Sequence, residues 1–520
     1  MKKNNFLHLF MLMGLAIISC KNDDETITSL QNQNPEDFSV EATEITDNSA
    51  LLTWNSAIDP DGDVVSYEIM LNGTEIASSI TDTEYLLEEL SPNINYNGSV
   101  IASDGNNGVF ESTFTFTTNE TIDTMVSIAW QKSLGGTSND EAYSIWQTND
   151  QGYIVAGSSE SDDGNVSGNN GNKDCWIVKL DSQGTIQWET NIGGSNNDTV
   201  HDIKQTTDGG FIVGAFSSSS DGDVSANNGM RDFWIVKLNA SGSIEWENNV
   251  GGSSDDILES IIQSSDGGYV AVGFSSSDQF DVSGQSDAWV IKLNASGVFQ
   301  WETNLGGSQR DIAFSVDQTT DQGYIIAGYT ETNDNKRDMW IAKLDATGDL
   351  SWEKSFVGTE NEEAESIEQT SDGGYIIAGY SESNDGDIGE NKGGNDAIII
   401  KTDIAGNIQW KQTFGGSRSE GISDIHQTND GGYIAIGNSS SNDEDVADNN
   451  GASDFWIIRL EPNGAIVWQK NLGDEGDDYA FSIQQTSDDG FIATGTWYTN
   501  ITGSGEGTTG DFDYWVIKLE

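Results

Sequence analysis

The chain has 520 residues, of which 86 are acidic and 22 basic, for a formal net charge of -64. A surface this acidic repels nucleic acid and anionic headgroups and suits cations or a basic partner. Hydrophobic residues make up 35% of the chain and there are only 4 prolines, which excludes a Pro-rich disordered polymer, and the length allows two or three domains.

In chain order, Lys2 and Lys3 precede "FLHLFMLMGLAII", an apolar stretch too short for a membrane span. It ends in "IISC", which resembles a bacterial lipoprotein signal. The resemblance implies that residues 1–19 are a signal peptide, cleaved before Cys20, and that Cys20 is lipidated and is the membrane anchor. The following "CKNDDE" resembles the export signals of surface lipoproteins in the Bacteroidota, which implies an outer-membrane, cell-surface location. Residues 20–34 are polar and read as the lipidated cysteine and a flexible tether. Cys175, in "CWIVKL", reads as a small core residue, because one remaining thiol makes no internal disulfide.

Residues 35–118 read as about seven short strands with turn punctuation, including a hairpin at Asn72–Gly73, and thus as a β-sandwich. Trp54, "LSPNINY" from Leu90 to Tyr96 and "ASDGNNG" resemble the core Trp, tyrosine corner and late turn of a fibronectin type III domain. The resemblance implies a spacer or adhesion module. "DPDGD" at Asp59–Asp63 reads first as a polar turn and second as a calcium loop. Residues 119–125 are a linker.

From residue 126 to the end the chain repeats itself. Trp130, Trp188, Trp246, Trp301, Trp352, Trp410 and Trp468 follow one another at intervals of 58, 58, 55, 51, 58 and 58 residues. Each period contains four strands, and the second and third are apolar on both parities, as in a sheet packed between two others. The region opens with a lone fourth strand, "SIAWQKSLG", and closes on a third strand, "DYWVIKLE". The expected architecture is therefore all-β, with a fibronectin type III-like sandwich followed by a seven-bladed β-propeller at residues 126–520. The N-terminal strand completes the last blade and removes the open edges. "DGGYIIAG" at Asp372–Gly379 and "DCWIVKLDSQG" at Asp174–Gly184 resemble bacterial β-propeller repeats, a likeness that speaks for fold and says little of function.

The third-strand residues Trp176, Trp234, Trp289, Trp340, Trp456 and Trp515 recur at one position, with Ile398 in the fifth repeat, and read as packing between blades. Trp146 and Trp497 break the repeat and are the candidate ligand contacts. Acidic residues recur just before the first strand of every repeat: Asp140, Asp198, Asp256, Asp311, Glu362, Glu420 and Asp478. If that strand lines a channel, they ring its mouth. Asp221, Asp223, Asp385 and Asp387 in the loops between second and third strands add to the same face. These acids are candidate calcium ligands, with solvated turns and strand-end caps as the competing reading. No other cofactor is expected.

The two histidines after the leader, His201 and His426, lie in different repeats and form no visible zinc motif, and no nucleophile elbow is present. The expected function is a monomeric cell-surface lipoprotein that binds or scaffolds a glycan or envelope protein without catalysis and takes no nucleic acid. The competing class is a polysaccharide-active enzyme, a glycosidase or lyase, at the acidic mouth, since a glycosidase needs only two carboxylates at the right separation.

Overall fold

The structure is a computed structural model. It describes residues 32–119, 126–278, 285–498 and 512–520, apart from 44, 47, 89, 92–93, 390 and 447–448. Cys20 and the leader lie outside the described residues. The chain divides into two compact units, Met1–Thr121 and Ile122–Glu520. Both are built from antiparallel strands, and the described residues contain no α-helix.

The first unit is a sandwich of a three-stranded and a four-stranded sheet. Strand alternation turns Leu52, Trp54, Ile69, Val100 and Phe116 into one core. The indole of Trp54 packs edge-on against Tyr67, with ring centroids 5.4 Å apart. The Tyr96 hydroxyl accepts the Ser91 N–H at 2.8 Å, which is the corner that the sequence pattern leads one to expect. At Asp59–Asp63, Asp59 Oδ1 accepts the N–H groups of Asp61 and Asp63 and so folds the loop as a side-chain-held turn.

The second unit contains seven four-stranded antiparallel sheets among its described residues. The first comprises Asp140–Gln147, Tyr153–Ser159, Asp174–Leu180 and Ile186–Ile192. Five more follow, over 198–250, 256–305, 311–356, 362–414 and 420–472. The seventh takes Tyr479–Gln485, Phe491–Tyr498 and Phe512–Leu519 from the end of the chain and Ile128–Leu134 from the start of the unit. Lys132 pairs with Val516 and Trp130 with Lys518. The lone fourth strand and the final third strand are thus partners.

In the first sheet every residue of the second and third strands is buried, the burial expected of a sheet covered on both faces. The recurrent third-strand tryptophans are core: Trp176, Trp234, Trp289 and Trp456 are 0% exposed, and Ile398 fills the same place. Each fourth-strand Trp leans on an aromatic of the following sheet, as Trp188 does on Phe211 at 5.8 Å. Trp130 of the seventh sheet meets Tyr153 of the first at 5.6 Å.

Two polar devices repeat with the same period. The glutamine ending each first strand accepts an N–H from the preceding sheet's turn, as Asn149 N–H gives to Gln205 Oε1 at 2.8 Å in the second sheet's case. The turn of the seventh sheet does the same to the first, Ser487 N–H to Gln147 Oε1 at 2.8 Å. A buried cation on each third strand reaches back to the aspartate of the turn between first and second strands. Lys401 Nζ, for example, lies 3.0 Å from Asp372 Oδ2 and donates to the Thr402 carbonyl at 2.8 Å. Arg459 takes this role in the sixth sheet, facing Asp430.

Candidate functional site

The first strands are not regular. Counted from the acid at or just before its start, each carries a bulge at its fourth residue, where the pairing with the second strand slips by one. In the first sheet Ala142 faces Gly157 and Ser144 faces Ala156, so Tyr143 is left out of the ladder. Gly157 is required by this close approach, since a Cβ there would lie 1.9 Å from the Glu141 carbonyl oxygen. A bulge re-aims the extra side chain. The residues so freed are Tyr143, His201, Glu259, Phe314, Glu365, Ser423 and Phe481.

These seven side chains line two adjoining cavities of about 620 and 540 Å³. The larger is walled by the first strands of all seven sheets and includes the seventh-position residues Trp146, Lys204, Ile262, Asp317, Glu368, His426 and Gln484. Its size is that of a small-ligand pocket. The positions that pack sheets together are nearly uniform across the repeats. The fourth and seventh positions, which face the cavities, differ from sheet to sheet.

The larger cavity is polar and carries both signs of charge. Lys204 Nζ lies 3.9 Å above the Trp146 ring and 3.1 Å from Asp202 Oδ1. His426 places Nδ1 2.9 Å from Glu368 and Nε2 3.3 Å from Asp424. Burial opposes its charge, but the Asp424 and Glu368 carboxylates prevail and hold the imidazole protonated, pushed up to about 10. His201 Nδ1 sits 2.6 Å from Glu259 Oε2, and its titration is raised for the same reason. The Trp146 indole N–H is buried without an acceptor.

Glu365 differs from these groups. It accepts no hydrogen bond and makes no ion pair with any described residue, and surrounding protein pushes its carboxyl up to about 8, with the Glu363 and Glu259 charges adding to the effect. It keeps a partial solvent contact along the cavity.

Trp146 lies in the cavity wall, but Trp497 does not join it. Trp497 donates its indole N–H to Asp474 at 3.0 Å and packs on Trp515 at 5.4 Å. The seven strand-opening acids are also turned away. Asp140, Asp198, Asp256, Glu362 and Asp478 are 0% exposed and Asp311 and Glu420 are 2% exposed; only Glu420 reaches a cavity wall.

Each acid folds an incoming loop. Asp140 Oδ2 accepts Gly136 N–H at 2.7 Å and Ser161 Oγ–H at 2.9 Å. Asp198 takes Gly194 N–H at 2.7 Å and the hydroxyls of Ser217 and Ser219. Asp256 repeats this with Gly252, Ser275 and Ser277. Asp311 accepts Gly307 N–H, Glu362 that of Gly358, Glu420 that of Gly416 and Asp478 that of Asp474. The loop acids do similar work: Asp221 accepts Ser195 N–H, Asp223 Gly193 N–H, Asp385 Thr359 N–H and Asp387 Val357 N–H.

Among the described residues no three of His, Cys, Asp or Glu converge in a way that would hold a metal ion. With each strand-opening carboxylate engaged by N–H or O–H donors of its own loop, EDTA is expected to leave the melting temperature unchanged. A calcium-dependent rise of several degrees in differential scanning calorimetry would contradict this.

The sequence marked Trp146 through its departure from the repeat. The same signal, applied at every position of the aligned first strands, would have found the other thirteen cavity residues of the fourth and seventh positions. The histidines, weighed only as zinc ligands, belong to this set.

The chain is thus an all-β protein with a fibronectin type III-like domain and multiple four-stranded antiparallel sheets. Residues 33–118 match the fibronectin type III domain family. The solved structure of FN3tt mut is 32% identical over 17% of this chain and 97% of its own, with a TM-score of 0.14. Regulatory protein FlaEY of Caulobacter vibrioides is 25% identical over 164 residues, 28% of this chain, and the match spans only 17% of FlaEY. Sqt1 from Chaetomium thermophilum covers 76% of this chain and 100% of its own at 11% identity, with a TM-score of 0.41.

Proposed function

We propose that the seven sheets close as a seven-bladed β-propeller and that the protein is a surface lipoprotein which binds a glycan or envelope component in the propeller's central channel. The observation that carries the reading is the location of variation. The cavity-facing fourth and seventh positions of the first strands differ from repeat to repeat, and they bring together aromatic, acidic, basic and amide side chains. Packing alone gives no reason for such diversity. Polar groups converging on a pocket are the usual makings of a recognition site.

Closure is supported by the pairing of Ile128–Leu134 with Phe512–Leu519 and by the Ser487–Gln147 hydrogen bond. Anchoring rests on the "IISC" pattern at Cys20, with the fibronectin-like domain as spacer. Labelled palmitate is expected to enter the wild-type chain and not Cys20→Ser; equal labelling of the two would remove the anchor from the proposal. Binding is tested on a broad glycan array with calcium present. Retention of a defined set of glycans supports the reading, and a blank array directs the search to a protein partner.

A further inference from the structure

The wall shared by the two cavities is formed by Tyr143, His201, Glu259, Phe314, Glu365, Ser423 and Phe481. Three are aromatic and two are carboxylates. Tyr143 and Phe481 meet edge to face with centroids 5.0 Å apart, and Tyr143 also packs on His201 at 5.6 Å. Glu259 is engaged by His201. Tyr143 gives its hydroxyl to Glu141 at 2.7 Å. Arg337, the nearby guanidinium, pairs with Glu363. Glu365 is left without a counter-ion among the described residues.

A carboxyl surrounded by protein and lacking a partner is costly when ionised. An incoming cation removes that cost. The aromatic rings that line the same cavities indicate the kind of cation, because their negative faces attract organic ammonium groups and a carboxylate on the same wall adds its charge. A hard metal ion would want several convergent oxygen ligands, and among the described residues no three His, Cys, Asp or Glu side chains converge. We infer that the channel binds a small organic ammonium group at this wall, paired with Glu365 and flanked by Tyr143, Phe314 and Phe481. The inference rests on the reading of the channel as a binding site and names the chemistry of its ligand. An amino sugar carries that group on a glycan.

The titration of Glu365 adds a signature. Burial raises it most; the Glu363 and Glu259 charges add to this, Arg337 favours the anion, and the nearby Tyr380 phenol stays un-ionised. With the carboxyl raised to about 8, cation binding is coupled to release of its proton, so affinity rises with pH until Glu365 is ionised in the free protein.

The test is isothermal titration of the detergent-solubilised full chain with tetramethylammonium, glucosamine and glucose. At pH 8.5 tetramethylammonium is expected to bind about tenfold or more tightly than glucose, the scale of one charge-assisted contact. Glucosamine, whose amine is largely neutral at that pH, is compared with glucose at pH 7, where it is an ammonium and is expected to bind more tightly. Tetramethylammonium, whose charge is fixed, is expected to bind more weakly at pH 6.5. Glu365→Gln is expected to remove the preference with a melting temperature at pH 8.5 no lower than that of the wild type, since it deletes a carboxylate that is costly when ionised. Equal affinity for glucosamine and glucose overturns the inference but leaves the channel reading standing. Unaltered cation affinity in Glu365→Gln overturns it, as does the absence of any cation binding. In that last case the glycan array decides separately whether the channel reading also falls.

Discussion

Deletion of Val126–Leu134 is expected to cost the second unit its cooperative unfolding. The strand Ile128–Leu134 supplies the fourth member of the seventh sheet, and its removal leaves Phe512–Leu519 as an open edge. It also removes Trp130, which covers Tyr153 in the first sheet and against which the turn glycine Gly184 is fitted. Trp130 is partly buried, so its indole contributes less than the ~4–6 kcal/mol of a fully buried one. The loss of a strand's hydrogen bonds comes in addition, and an exposed strand edge promotes association between molecules. Scanning calorimetry should show a transition lowered by about 10 °C or more and broadened, with aggregation on heating. A synthetic peptide of residues 126–134 should bind and restore part of the loss. An unchanged transition would mean that the seventh and first sheets hold together without this strand.

The second large effect is on pH. Third-strand aspartates face the strand-opening acid across each sheet boundary. A methyl group on Gly193 would lie 2.7 Å from both Asp174 Oδ1 and Asp198 Oδ2, so two carboxylates converge over that glycine. Asp174, Asp232, Asp396 and Asp454 each use Oδ2 to accept a loop N–H, while Oδ1 is buried without a hydrogen-bond donor. Burial pushes Asp140, Asp174, Asp232, Asp311 and Asp396 up to about 6 and Asp478 to about 7. A group whose pKa is raised on folding binds its proton better in the native state, and the stability it contributes is lost as pH rises through the native value. The raised titrations of His201, His426 and Glu365 act in the same direction.

The turn aspartates facing Lys and Arg, such as Asp208, Asp372 and Asp430, are lowered instead. Their contribution is present above the ordinary Asp value and disappears as pH falls below it. Maximum stability is therefore expected near pH 5. The melting temperature should be higher at pH 5 than at pH 8 by about 5–10 °C, given several groups acting together. A flat profile, or one rising toward pH 8, would show that the carboxylates are neutralised in another way, a bound cation being the first candidate.

The repeats made much of the second unit readable from residues alone. "DGGYIIAG" and "WIVKL" state strand, turn and two-sided burial directly, and the seven evenly placed tryptophans fix the number of sheets. Tyr96 and Trp54 did the same for the first unit. The cavity wall was hidden for a physical reason. Side-chain direction in a strand alternates, and a single inserted residue reverses it. Counting along "DEAYSIWQ" does not reveal that Tyr143 leaves the ladder, because the bulge depends on the close approach of Gly157 in the neighbouring strand. The strand-opening acids, read as calcium ligands or as strand-end caps, could not be placed by counting for a related reason. An aspartate at a strand start looks exposed, but the loop N–H groups and serine hydroxyls that claim Asp198 come from residues 194, 217 and 219. Trp497 breaks the repeat as Trp146 does, yet its partner Asp474 lies in the loop leading into the seventh sheet, so irregularity alone did not mean a place in the cavity.

The measurement that bears most directly on the channel as the binding site compares wild-type protein with Ser423→Trp on the same glycan array. Ser423 is the smallest side chain of the shared wall and lines both cavities, so an indole there fills the space without touching a sheet-to-sheet contact named above. Glycans retained by the wild type are expected to be lost by a Ser423→Trp protein of unchanged melting temperature. Equal retention by the two would place recognition on another surface and contradict a binding site in the channel.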